Sequence, residues 1–215
     1  MRPRAVLLAV LVGGLLLPSA RGEAASCAHA VNDPRDDVTA GHPDQSSLER
    51  SVDITAIDVG TDARSLTAIV RVVDIDAEEA RTLPRSWVVH LGLGSTRYEL
   101  RADGDASSAT YELRRIEGDD GTTQPGFGQY ETVHVAWVGG SVDASRDVVR
   151  IVVPRARFGR GEVRGVVDGI YGRALTAVST PPEPPTPLGY YVVYPLQDAT
   201  LGYGSYRVGA AYCRN

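Results

Sequence analysis

The sequence predicts an all-β fold, an antiparallel β-sandwich in a single domain with at most one short helix. Nine runs alternate apolar and polar residues with the period of two that a half-buried strand imposes. Gly, Asp and Pro separate these runs, as turns between neighbouring antiparallel strands require. Only "DAEEARTLP" (76 to 84) reads as helix, a turn or two closed by Pro84.

Residues 1–26 carry the marks of a secretory signal peptide. Arg2 and Arg4 precede an apolar run from Ala5 to Leu17, followed by Pro18 and the small residues Ala24, Ala25 and Ser26. The run is shorter than the roughly 18 to 20 residues that span a bilayer, so no membrane span is expected. The mature chain, 27–215, is expected to be secreted and extracellular. Its two cysteines, Cys27 and Cys213, sit at opposite ends in a compartment that permits disulfides, and their pairing is expected. In the loop-entropy view, closing so large a loop stabilises by about 4 to 5 kcal/mol at most. Lipid modification of Cys27 is the competing reading; it leaves Cys213 a free thiol.

Next comes "AVNDPRDDVTAG" (30 to 41), which packs Asn32, Asp33, Asp36 and Asp37 around Pro34. Two readings stand. Calcium takes six to eight oxygens, and these side chains supply several, with Asp53 or Asp198 brought close by strand pairing. The spacing is not that of an EF-hand loop. The alternative is a polar turn in which Asn32 and Asp33 bond local backbone, Pro34 sets the bend, and Asp36 and Asp37 face water.

The first two strands form a hairpin. "VDITAIDVG" (52 to 60) places Val52, Ile54, Ala56 and Asp58 on one face and Asp53, Thr55, Ile57 and Val59 on the other. "SLTAIVRVVDI" (65 to 75) alternates Leu66, Ala68, Val70 and Val72 against Thr67, Ile69, Arg71 and Val73. The intervening "GTDARS" is a turn. Further strands are expected over 86–93, 96–102, 108–116, 130–138, 147–154, 162–175 and 204–213. The acidic "EGDDGTT" (117 to 123) reads as a hairpin tip. Trp87 falls in register with Val89, Leu91 and Leu93, and Trp137 with Val133 and Val135, so both tryptophans are expected in the core. His90 and His134 then lie on the opposite faces, solvent-facing or hydrogen-bonded. They share a metal only if their strands are neighbours.

A Pro/Tyr-rich loop is expected over 179–202. Five prolines between Pro181 and Pro187 stiffen it toward polyproline II, and Tyr190, Tyr191 and Tyr194 follow. Three readings remain open: a stiff surface loop pinned by its tyrosines, an aromatic ligand platform, and a docking segment for a protein partner.

Charge narrows the partners. With Arg2, Arg4, Arg21 and Glu23 removed in the signal, the 22 basic and 27 acidic residues become 19 and 26, a formal charge of −7. Nucleic acid and anionic membrane surfaces are poor partners for such a chain. A nucleophile elbow, a phosphate loop, a zinc-protease helix and a CxxC are all missing from the sequence, and no enzyme is expected.

Cys27, "DPRDD" (33 to 37), "VDITAIDVGTDARSLTAIVRVVDID" (52 to 76), "YELRA" (98 to 102), "VRIVVPR" (149 to 155) and "DATLGYGSYRVGAAYC" (198 to 213) together resemble secreted bacterial β-sandwich proteins. These are similar to DOMON-like domains and to carbohydrate-binding module family 9. The resemblance spans nearly the whole mature chain and implies a jelly-roll-like sandwich with a binding rather than a catalytic role. Sugar-binding relatives clasp a pyranose between aromatic side chains. Heme-binding relatives use a Met and His axial pair, and Met1, the one methionine, leaves with the signal. Heme is therefore not expected. The expected function is a secreted noncatalytic binding module for carbohydrate or a cell-envelope polymer. An extracellular structural or protein-interaction domain is the alternative.

Overall fold

A computed structural model describes residues 29–38, 50–76, 84–117, 131–159, 163–180 and 192–213. Twelve strands are described: β1 (Val31–Asn32), β2 (Ile54–Thr61), β3 (Ser65–Val72), β4 (Arg85–Leu93), β5 (Thr96–Gly104), β6 (Ala109–Glu117), β7 (Glu131–Trp137), β8 (Gly139–Asp143), β9 (Val148–Pro154), β10 (Val166–Thr180), β11 (Val192–Ala199) and β12 (Gly204–Arg207). A short 3-10 turn, Arg155–Phe158, follows β9. The helix expected over 76–84 falls largely on residues outside the described set, as do the signal segment, Cys27 and most of the hairpin tip at 117–123.

All strand pairs are antiparallel, and they build two sheets. One has five strands in the order β1-β2-β3-β9-β8; the other has seven, running β11-β10-β4-β5-β6-β7 with β12 also paired to β10. The fold is therefore the all-β sandwich that the alternation predicts. Its core lies between the sheets. Leu66, Ala68, Val70 and Val72 of β3 face Trp87, Val89, Leu91 and Leu93 of β4 across it, each set spaced by two as one strand face requires. Gly172 of β10 lets the sheets approach, because a Cβ there would stand 2.5 Å from the Ile57 side chain.

Three departures from simple alternation matter for the site. Between Ile54 and Ala56 the β2–β3 register shifts, so Ile54, Ile57 and Val59 all reach the core instead of splitting between faces. A second shift, between Leu113 and Arg114 of β6, leaves Val135 of β7 as an extra residue. Because one extra residue reverses the side-chain phase beyond it, Trp137 turns outward and is 68 % exposed. The expectation of a core Trp137 is thus corrected, whereas Trp87 is fully buried as expected. Third, β11 runs through the segment expected as a loop, pairing Tyr194 with Val178 and Pro195 with Ala177. It is an edge strand among the described residues, which tolerates a proline that a central strand would exclude.

Candidate functional site

The face of the seven-stranded sheet turned away from the core carries polar side chains in two rows that cross the strands. One row holds Tyr171, His90, Glu99, Arg114 and His134 on β10, β4, β5, β6 and β7. The second, two residues along on β10, β4, β5 and β6 and three along on β7 because of the extra Val135, holds Arg173, Val88, Arg101, Glu112 and Trp137. Antiparallel register places these ten residues together although they are scattered over 88 to 173 in sequence.

Side chains along the rows are tied to one another. Tyr171 Oη lies 2.8 Å from His90 Nδ1, and their rings stack at 4.3 Å. Burial, then the nearby charges of Arg173 and Arg97, push the His90 imidazole down to about 3. His90 is therefore neutral, and its Nε2 stands 3.6 Å from Glu99, too far for a hydrogen bond. At the β7 end Glu112 accepts from His134 Nδ1 at 2.6 Å and faces Arg114 Nη1 at 3.5 Å. The His134 ring in turn sits 5.2 Å from Trp137. His134 and Trp137 thus share a face, contrary to the sequence expectation, because of the extra residue at Val135. Strands β4 and β7 are separated by β5 and β6, so His90 and His134 are not positioned to share a metal.

A second cluster forms where the sandwich edges meet. Asp33 and Asp37 lie in the turn after β1, Asp53 just before β2, and Asp198 near the end of β11. One carboxylate oxygen from each of Asp33, Asp37 and Asp198 lies within 4.8 Å of the others. Asp33 Oδ1 accepts the backbone N–H of Leu201 at 2.8 Å, Asp198 Oδ2 that of Ile54 at 2.7 Å, and Asp53 Oδ2 that of Asp36 at 2.8 Å. Asp36 holds a left-handed backbone, φ 65°, a conformation that Asp tolerates better than most residues. Three oxygens remain buried and unpartnered: Asp33 Oδ2, Asp37 Oδ1 and Asp53 Oδ1. Desolvation, reinforced by neighbouring carboxylates, pushes Asp33 up to about 6 and Asp198 up to about 7, and it raises Asp53 as well.

Of the four residues singled out in this turn, the structure gathers Asp33 and Asp37. The Asn32 and Asp36 residues are exposed. Asp53 and Asp198, distant in sequence, complete the group. Tyr190 and Tyr191 lie outside the described residues, as does the side chain of Tyr194.

His29 and Cys213 come together on the outer face of the five-stranded sheet. Buried Asp58 accepts from Arg71 Nε at 3.0 Å and lies 2.9 Å from His29 Nδ1, while Arg71 Nη2 reaches the Cys213 carbonyl at 3.5 Å. Cys213 is buried, and no free cysteine is found among the described residues. The group around Asp58 is accounted for as an ion-paired strut and needs no metal. No helix among the described residues is long and apolar enough to cross a membrane.

Comparison with protein-family models, with curated proteins and with solved structures gives no match.

Proposed function

We propose that the protein is a secreted, noncatalytic binding module that takes a carbohydrate or cell-envelope polymer on the outer face of its seven-stranded sheet. The observation that carries this reading is Trp137, a large aromatic ring 68 % exposed at one end of a polar belt. A pyranose packs its C–H face on such a ring, and adjacent charged side chains take its hydroxyls. Glu112, Arg114 and His134 stand ready beside the ring in a network that fixes their orientation. The accessible part of the rows is their β7 end, where Trp137 and His134 are exposed and Arg114 is half-buried, whereas Tyr171, His90, Val88, Glu99 and Glu112 are buried.

Tryptophan fluorescence tests this. The chain has two tryptophans, and Trp87 is fully buried, so a ligand on the belt changes the emission of Trp137 alone. Titration with soluble oligosaccharides is expected to blue-shift the emission and protect it from acrylamide. Oligosaccharide binding, detected by calorimetry, that leaves Trp137 quenchable rejects this face as the site.

One observation favours a second reading. β7 is a sheet edge among the described strands, and Val133 is exposed on it together with Trp137. An edge of that kind accepts an added strand from a protein partner.

A further inference from the structure

We infer that Asp33, Asp37 and Asp198, with buried Asp53 beside them, form a calcium site that fastens the edge of one sheet to the edge of the other. The clustered oxygens of Asp33, Asp37 and Asp198 lie within 4.8 Å of one another, about twice the Ca–O bond length, so a single ion reaches all three. Four carboxylates alone would not make a site. The independent observation is Asp53, which is 1 % exposed and whose Oδ1 has no hydrogen-bond partner. Its other oxygen is held by the Asp36 N–H, and its charge acts on Asp37 and Asp33 although it stands outside the group of three. Burying a carboxylate oxygen without a donor is costly; a cation held by the group of three supplies what is missing for Asp33 Oδ2 and Asp37 Oδ1, and its charge offsets that of buried Asp53.

The donor set selects the cation. All four side chains offer oxygen, which disfavours zinc and its nitrogen or sulfur ligands. Calcium accepts irregular geometry and fills the rest of its six to eight positions with carbonyls and water, whereas magnesium demands a tight octahedron.

Position gives the site its role. β1 is an edge strand of the five-stranded sheet and β11 an edge strand of the seven-stranded sheet. Asp33 and Asp37 follow the first, and Asp198 belongs to the second. An ion held between them closes that side of the sandwich. The inference is independent of the carbohydrate reading.

Calorimetric titration of the chelator-treated full chain with calcium chloride, alongside thermal unfolding in calcium, magnesium or chelator, tests it. One calcium per chain is expected, with a dissociation constant on the order of 10⁻⁴ M or tighter, and a melting temperature raised by about 5 °C in millimolar calcium but less in magnesium. Asp33→Asn and Asp53→Asn keep the oxygens that accept from Leu201 and Asp36, and each is expected to weaken calcium binding at least about ten-fold. Their melting temperatures in chelator, at or above that of the wild type, will show that they fold. No heat and no stabilisation by calcium in the wild type overturns the site, and so does wild-type affinity in both variants.

Discussion

Asp33 Oδ1 accepts the backbone N–H of Leu201 at 2.8 Å, joining two residues 168 positions apart. Beside it, Asp198 Oδ2 accepts the N–H of Ile54. The first bond ties the turn after β1 to the segment after β11, and the second ties the start of β2 to β11. Neutralising the repulsion among the carboxylates at this seam should therefore be visible in stability.

Asp33→Asn removes a charge while keeping the bond to Leu201. In chelator, the wild type and the variant should melt at similar temperatures near pH 4, and the variant should become the more stable as pH rises to 7. The sign follows from the raised values of about 6 for Asp33 and about 7 for Asp198. Between pH 4 and pH 7 the folded wild type binds more protons than the unfolded chain, so its stability falls as they are released. Thermal melts at half-unit pH steps check this; a wild type that gains on the variant with rising pH contradicts it.

His90 has the opposite sign. Its imidazole is held neutral between Tyr171 and Glu99, near Arg97 and Arg173, with its value down at about 3. Below pH 6.5 the unfolded chain takes up the proton that the folded chain refuses, so this group costs stability as pH falls toward 3. His90→Gln lacks that proton uptake. Urea midpoints at pH 5 and pH 7 should show the wild type losing ground to the variant at the lower pH.

Gly60 lies under the Tyr212 ring, and a Cβ there would collide with its carbons. Gly60→Ala must push the ring, and with it the C-terminal segment, off the five-stranded sheet. A loss of about 1 to 3 kcal/mol is expected from urea unfolding, and Tyr212→Ala in the same chain should recover part of it.

Pairing of Cys27 with Cys213 is expected to appear as one cross-linked peptide in a non-reducing digest. Replacing both cysteines by Ser should lower stability by about 2 to 5 kcal/mol. Two free thiols in the native protein, or a lipid on Cys27, contradict the pairing.

Strand alternation made the sandwich legible, and it failed where single extra residues interrupt it. Leu66 to Val72 and Trp87 to Leu93 face the core as their period of two demands. Ile57 and Trp137 do not follow the simple alternation, because the register shifts at Thr55 and Val135 leave no mark in an apolar-polar pattern. β11 was hidden by Pro195 and by the proline-rich stretch before it; an edge position permits Pro195. The aspartate cluster was half visible: local density pointed to Asp33 and Asp37, whereas the contributions of Asp53 and Asp198 depend on which strands become neighbours. The polar belt was less legible still, since its rows exist only once five strands are in register.

Retention of the wild type and Trp137→Ala on insoluble polysaccharides and purified cell-wall material tests the binding face most directly. Surface truncation at Trp137 should change stability by no more than about 0.5 kcal/mol, so a lost signal reports contact rather than unfolding. The expected result is a wild type held by at least one polymer and a folded Trp137→Ala that washes through. A wild type that binds none of them, or a variant retained equally well, contradicts the account.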